Sequence, residues 1–153
     1  MYNKILVPLD GSEFGECVLP HLKRIAQGCK VSEVILFHVI EPLSAQTITA
    51  LAQTGGDTLA RLEQDIKTTA EKYIRNITTR ITGDGINAIP VLVSGNASEE
   101  ILKYAADNTV DMIIMSTHGR SGISRFFLGS VADKVVHHST VPVMLVPPAG
   151  CRM

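Results

Sequence analysis

The sequence has few aromatic residues and almost no excess of charge of either sign. It has no Trp, aromatic residues make up 5% of the chain, and 14 Lys and Arg stand against 15 Asp and Glu, for a formal net charge of −1. A near-neutral chain without a basic block lacks the electrostatic attraction that nucleic acids and anionic membranes require. Intrinsic disorder is also disfavoured, because 45% of the residues are hydrophobic. We therefore expect a folded protein with no nucleic-acid partner.

Long apolar runs and paired cysteines are also missing. No segment approaches the ~20 consecutive apolar residues of a membrane span. The N-terminal MYNKILVPLDGSE has neither the long apolar stretch nor the cleavage site of a secretory signal. Cys17, Cys29 and Cys151 form no Cys-x-x-Cys pair, and an odd, scattered set is typical of reduced thiols. The sequence thus predicts a cytoplasmic protein that does not associate with a membrane.

Short β-branched runs alternate with segments that carry an apolar residue every three or four positions. The predicted strands are Lys4–Leu9, Val34–Ile40, Ile86–Val93, Met112–Met115 and Val141–Val146. The predicted helices are Phe14–Cys29, Leu59–Ile81, a segment after Asn96 that includes Ile101–Ala106, and Gly129–His138. Pro90 places the third strand at a sheet edge, because proline cannot donate to a β-ladder. Residues Pro42–Asp57 are expected to be irregular.

This alternation predicts an α/β protein: a three-layer α/β/α sandwich with a five-stranded, mainly parallel sheet, Rossmann-like and the size of a flavodoxin. The length favours one domain, residues 1–148, followed by a tail at 149–153. In such folds ligands bind beyond the carboxyl ends of the strands, where the strand order reverses. Three segments are therefore candidates for a site: Asp10–Ser12, Val39–Glu41 and Ser116–Ser130.

The last of these segments runs from a buried strand through glycines into a helix that begins at Gly129-Ser130. The N–H groups of Gly129, Ser130 and Val131 are predicted to lack intrahelical partners, and the helix dipole then favours a phosphate there. The same spacing also fits a plain strand-to-helix connection with Gly129 as the N-cap. Neither a P-loop nor a G-x-S-x-G nucleophile elbow is present.

Four segments together resemble the universal stress protein family over essentially the whole chain: Pro8–Ser12, Phe37–Val39, Ser116–Ser130 and Val141–Val146. The ATP-binding members of that family have the pattern G-x-x-G, nine residues, then G-S or G-T. Here Gly119, nine further residues and Gly129-Ser130 match, whereas Ser116 stands in place of the first glycine. The resemblance implies an adenine nucleotide alpha hydrolase-like fold.

The resemblance also implies a role for individual residues. Asp10 would accept hydrogen bonds from ribose hydroxyls, the backbone of Val39 would meet the adenine edge, and Met115 and Ser116 would flank the sugar and base. Gly119, Gly129, Ser130 and Val131 would hold the phosphates through their N–H groups. The other expected nucleotide-binding residues are Pro8, Leu9, Ser12, His118 and Arg120. Without the resemblance, Asp10 fits a turn or capping carboxylate equally well. His118 then fits a loop histidine better than a catalytic one, since no carboxylate or nucleophile stands at a recognisable spacing.

The function that the resemblance implies is that of a nucleotide-responsive regulator in the stress response. The ligand would be ATP, ADP or AMP, with Mg²⁺ held through the phosphates, and the protein would be a homodimer joined through Val141–Val146. Two alternatives stay open: a nucleotide-independent interaction module on the same dimeric scaffold, and a slow ATPase. No catalytic residue and no metal site of the protein's own is predicted, since the neighbouring His137 and His138 diverge on a helix.

Overall fold

The computed structural model describes residues 2–53, 56–118 and 128–148. Five strands form one sheet: β1 (Lys4–Pro8), β2 (Glu33–Ile40), β3 (Ala88–Ser94), β4 (Met112–Ser116) and β5 (Val143–Val146). The described helices are α1 (Glu13–Glu16), α2 (Leu19–Gly28), α3 (Ala45–Ala52), α4 (Gly56–Gly83), α5 (Ala97–Asp107) and α6 (Ser130–His138). The strand order is β3-β2-β1-β4-β5 and every neighbouring pair is parallel, which confirms the predicted α/β class.

Helices cover both faces of the sheet, so the strands are apolar on both sides. On one face, Ile5, Val7 and Ile114 pack against apolar side chains of α2 and α4. On the other face, Leu6 and Ile113 pack against α5 and α6. The two cores produce the three-layer sandwich that the sequence predicts.

The central position of β1 determines where the sheet opens. After β1 the chain moves to β2 on one side, and it returns later to β4 on the other side. The connections leaving β1 and β4 therefore cover opposite faces, and a crevice forms between the carboxyl ends of these two strands. This is the edge at which the sequence places its candidate site.

Pro90 occupies the edge strand as predicted. The Val34 N–H donates to the Asn87 carbonyl at 2.9 Å, and Leu36 is the register partner of Pro90. In a parallel ladder this register makes the residues on either side of Pro90 bond to β2, so the missing N–H falls on the open side of the sheet. The proline therefore costs no ladder hydrogen bond.

The helix predicted over Phe14–Cys29 is wrong as a single element. The structure has α1 and α2 instead, and Pro20 stands in the first turn of α2. Proline is tolerated in a first turn, where its missing N–H is not needed, but it breaks a helix interior. The apolar spacing continues across this break, which explains why it indicates one helix.

The irregular structure predicted for Pro42–Asp57 is also wrong in part. Helix α3 lies within this segment, and the Ser44 hydroxyl caps it by accepting from the Thr47 N–H at 3.1 Å. Helix α3 spans only eight residues and buries none of them, so its apolar spacing is too short to predict it. Three strand starts also differ from the prediction, since β2 begins at Glu33, β3 at Ala88 and β5 at Val143.

Candidate functional site

A cavity of about 790 Å³ opens at the carboxyl edge of the sheet, within the 300–1,000 Å³ typical of small-molecule sites. Its walls come from the ends of β1, β2 and β4, one face of α4 and the first residues of α6. The cavity therefore lies at the strand-order reversal, where the fold rule places a ligand.

Most of the predicted site residues meet in this cavity. Its walls include Pro8, Leu9, Asp10, Val39, Met115, Ser116, His118, Gly129, Ser130 and Val131. Ser12 is not among the described wall residues, and Gly119 and Arg120 lie outside the described residues. The sequence analysis missed the contribution of α4, which supplies Asp65, Ile66, Thr69, Ala70 and Tyr73. The apolar period of α4 predicts a helix, but only the tertiary arrangement shows which of its turns pass the cavity.

Asp10 is held by the turn that follows β1. Its Oδ1 accepts hydrogen bonds from the Ser12 N–H at 3.0 Å and from the Ser12 hydroxyl at 2.7 Å. The same hydroxyl accepts from the Gly15 N–H at 3.0 Å and caps α1. Gly11, at φ +84°, provides the left-handed residue of the turn. Ser12 therefore acts on the cavity by orienting the Asp10 carboxylate.

One of the amide donors predicted at the start of α6 already has a partner within the protein. The Gly129 N–H is already engaged, since it donates to the Thr117 carbonyl at 2.8 Å and joins the end of β4 to the start of α6. Within the described ranges, no hydrogen bond occupies the N–H groups of Ser130 and Val131, which form the first turn of the helix. Of the three amides that the sequence predicts for an anion site at this helix start, two are thus left, together with the helix dipole.

Ser116, which replaces the first glycine of the family pattern, turns its hydroxyl back into the protein. The hydroxyl donates to the His118 carbonyl at 2.7 Å, and the Cys17 thiol approaches it at 3.6 Å. Ser116 is 8% exposed and shares the sheet face of Ile114, beneath α1 and α2. The residue lies on the cavity wall, and its hydroxyl bonds to the protein's own backbone.

The two histidines on the cavity wall have backbone or loop partners. His38 is 4% exposed, and its Nδ1 lies 2.6 Å from the Leu9 carbonyl, so Nδ1 carries the proton. His118 Nδ1 lies 2.9 Å from the Thr117 hydroxyl. The described residues contain no cluster of three or more side chains suited to a metal ion.

Tyr73 brings a buried hydroxyl to the α4 side of the cavity. Its ring packs against His38 with the centroids 5.6 Å apart, and no described residue makes a hydrogen bond to its hydroxyl. Burial, reinforced by the negative charges of Glu16 and Asp10, raises the pKa of the phenol well above its usual value. The phenol is therefore neutral at physiological pH and keeps its proton as a donor.

The comparisons with known proteins agree with this architecture. A model of the universal stress protein family matches residues 1–147. The chain belongs to this family. It is 33% identical to the universal stress protein MJ0577 of Methanocaldococcus jannaschii, with 95% of each chain covered. The solved structure of MJ0577 superposes with a TM-score of 0.75 at 35% identity over 96% of both chains.

Two more distant structures of the family contain a nucleotide. A universal stress protein in complex with cAMP has a TM-score of 0.69 at 18% identity, covering 97% of this chain and 98% of that one. A family protein of Arabidopsis thaliana with AMP bound has a TM-score of 0.67 at 16% identity, covering 95% and 92%. At these identities the likeness establishes the common fold. In the described part of the chain, no helix has both the length and the apolarity to cross a membrane.

Proposed function

We propose that this universal stress protein binds an adenine nucleotide (ATP, ADP or AMP) in the cavity at the carboxyl edge of its sheet. The observation that carries the proposal is the composition of the cavity walls. A carboxylate held at the end of β1 faces the same space as the amides of Ser130 and Val131 at the start of α6. Carboxylates accept from sugar hydroxyls, and helix N-termini bind phosphate. The cAMP and AMP complexes of two relatives support this assignment.

The base is expected between the end of β2 and α4. The backbone of Val39 provides polar groups for the adenine edge, while Ile66 and Ala70 of α4 provide apolar surface opposite. A largely apolar wall with a few placed polar groups is the usual construction of a small-molecule site. Mg²⁺ would accompany a triphosphate through the phosphate oxygens.

Calorimetric titration with ATP and adenosine tests the two halves of the site separately. Ser130→Pro removes the first amide donor of α6, and it fits the backbone because Gly129 has the extended ψ of 149° that precedes a proline. A hydrogen bond to a charged group contributes about 1.5–3 kcal/mol, so we expect the ATP affinity to fall by about tenfold or more. Adenosine, which has no phosphate, should bind this variant as it binds the wild type.

Two further variants complete the titration. Ser130→Ala keeps the amide and removes only the hydroxyl, so it should weaken ATP less than Ser130→Pro does. Asp10→Ala should weaken ATP and adenosine alike, by about tenfold, because both ligands carry the ribose. Wild-type protein that binds none of ATP, ADP, AMP or adenosine at millimolar concentration, with or without Mg²⁺, would refute the proposal.

We also propose that β5 pairs with its symmetry mate in a homodimer. The Ile113 N–H donates to the Pro142 carbonyl at 2.9 Å, and the Thr117 N–H donates to the Val146 carbonyl at 3.1 Å. In a parallel ladder this alternation directs the N–H and C=O groups of Val143 away from β4, toward the open edge. An unpaired edge of this kind is a template for a second strand, and twofold dimers are the commonest closed assembly.

Sedimentation equilibrium checks the dimer proposal. Val143→Pro removes an N–H that faces the open edge and keeps the bonds to β4, so we expect a folded monomer. Leu92→Pro is the matched control, because its register partner His38 places it at an equivalent outward position on the opposite edge strand. The control should remain dimeric. A wild-type monomer, or a Val143→Pro dimer of unchanged affinity, would contradict this pairing.

A nucleotide-independent interaction module is the second candidate function. The engaged Gly129 amide favours it, because the phosphate site has one donor fewer than the family resemblance implies. Extraction of purified protein distinguishes the two functions: a stoichiometric adenine nucleotide in the extract supports the first proposal. Under the first proposal, a partner in the stress response would recognise the surface that changes with the bound nucleotide, and recognition requires different nucleotide affinities in the two states.

A further inference from the structure

Tyr73 has a buried phenol hydroxyl, and none of the nucleotide contacts proposed above uses it. Helix α4 connects the end of β2 to the start of β3, so it runs antiparallel to the strands. Helical side chains lean toward the helix N-terminus, and here that direction is the edge at which the cavity opens. Tyr73 follows Ile66 and Ala70 on the same face of α4, and the side chain reaches the wall near Asp10.

The phenol hydroxyl has an unmet hydrogen bond. No described residue bonds to it, and although the Gly11 N–H is near enough to affect the phenol pKa, no well-directed hydrogen bond forms. A buried polar group without a partner costs about 1–3 kcal/mol, and such groups in native proteins usually mark a missing water or ligand. The Tyr73 hydroxyl is therefore a hydrogen-bond donor at the cavity wall, and a ligand with an acceptor would satisfy it.

The charges around Tyr73 indicate which acceptor fits. Asp10 and Glu16 are carboxylates, and Arg80 pairs with Glu16 at 3.0 Å. The Asp10 carboxylate only accepts hydrogen bonds, whereas the neutral phenol donates one. A sugar hydroxyl between the two would donate to Asp10 and accept from Tyr73. A phosphate would not satisfy both, since a phosphate beside these carboxylates meets like charge. The adenine edge is expected at the backbone of Val39, on another part of the cavity wall.

We propose that the Tyr73 hydroxyl, together with Asp10, binds one of the two vicinal ribose hydroxyls and makes the site selective for ribonucleotides over deoxyribonucleotides. The inference rests on the proposed nucleotide site and names its sugar specificity. The phenol oxygen has almost no exposed surface. The contact therefore requires a small local shift that uncovers this oxygen to the ligand.

The test compares ATP, 2′-deoxy-ATP and 3′-deoxy-ATP on wild-type protein and on Tyr73→Phe. Wild-type protein should bind one deoxy analogue more weakly than ATP. Tyr73→Phe should reduce that discrimination by about three- to tenfold, the contribution of one hydrogen bond, while its affinity for the deoxy analogue stays unchanged. Tyr104→Phe is the matched control, because this half-buried tyrosine lies in α5 against Phe37, at 4.9 Å between ring centroids. It should leave the discrimination unchanged.

Each outcome decides between the claims. If wild-type protein binds all three nucleotides with equal affinity, the inference is refuted before any variant is measured. An equal loss of affinity for all three in Tyr73→Phe shows a purely structural role and also overturns it. If wild-type protein binds none of the nucleotides, the proposed function itself fails, whereas binding with unaltered discrimination in Tyr73→Phe refutes only the role of Tyr73.

Discussion

The missing side chain of Gly15 leaves room for the Asp10 carboxylate. Gly15→Ala should therefore displace this carboxylate and lower both the stability of the protein and its ATP affinity. Gly15 is buried in α1, and a Cβ added there would lie 2.5 Å from Oδ1 of Asp10 and 3.5 Å from its backbone N. The first separation is far shorter than van der Waals contact. The same Oδ1 accepts both hydrogen bonds from Ser12, so the carboxylate cannot move aside without losing them.

The expected cost follows from these contacts. Hydrogen bonds to a charged group contribute about 1.5–3 kcal/mol each, and the loss of about one is partly offset by the ~0.5–1 kcal/mol gained when alanine replaces a helical glycine. The free energy of unfolding should therefore fall by about 1–2 kcal/mol, which lowers Tm by about 2–8 °C in a domain of this size. ATP affinity should fall as well, because Asp10 loses its orientation.

Urea and thermal unfolding measure this effect against two references. Gly28→Ala is the matched control, because a Cβ at Gly28 meets nothing within 4 Å, and we expect it to be neutral or stabilising by up to about 1 kcal/mol. In an Asp10→Ala background the clash is gone, so Gly15→Ala should cost much less there. If Gly15→Ala is as stable as the wild type, or costs the same in both backgrounds, the steric explanation is refuted.

Two further predictions concern stability at the two ends of β4. Hydrogen bonds from the Lys4 and Asn3 amides hold the pKa of the Asp111 carboxyl below its usual value, so its contribution to stability is present above about pH 4 and is lost as the pH falls further. The Tm difference between wild-type protein and Asp111→Asn should shrink over that range, and a constant difference would contradict the assignment. Ser116→Gly should lower the free energy of unfolding by about 1–2 kcal/mol and change ATP affinity by less than about twofold. A tenfold gain in affinity would show that the serine crowds the sugar.

The sheet could be predicted because its signals are local. Each strand is a short apolar run, and Pro90 marks an edge. The start of α5 is also determined locally, because Asn96 caps it by accepting from the Glu99 N–H at 3.3 Å. The missed helix α3 has a weaker signal, since its apolar spacing extends over only eight residues, none of them buried. The break before Pro20 was missed for the opposite reason. The apolar spacing continues from α1 into α2, although the helical backbone is interrupted between them.

The site was predicted less completely, because its details depend on residues that are distant in sequence. The first glycine of the family pattern is replaced by Ser116, and sequence alone leaves open whether its side chain obstructs the sugar. In the structure the hydroxyl has partners 99 positions away and two positions away, Cys17 and His118. The engaged Gly129 amide has the opposite consequence, since the Thr117 carbonyl removes a donor that the helix start was expected to offer. Under the proposed function, the loss of the Gly129 donor gives the contacts to the sugar and the base more weight, and Asp10 and the α4 wall are where their contribution is to be measured.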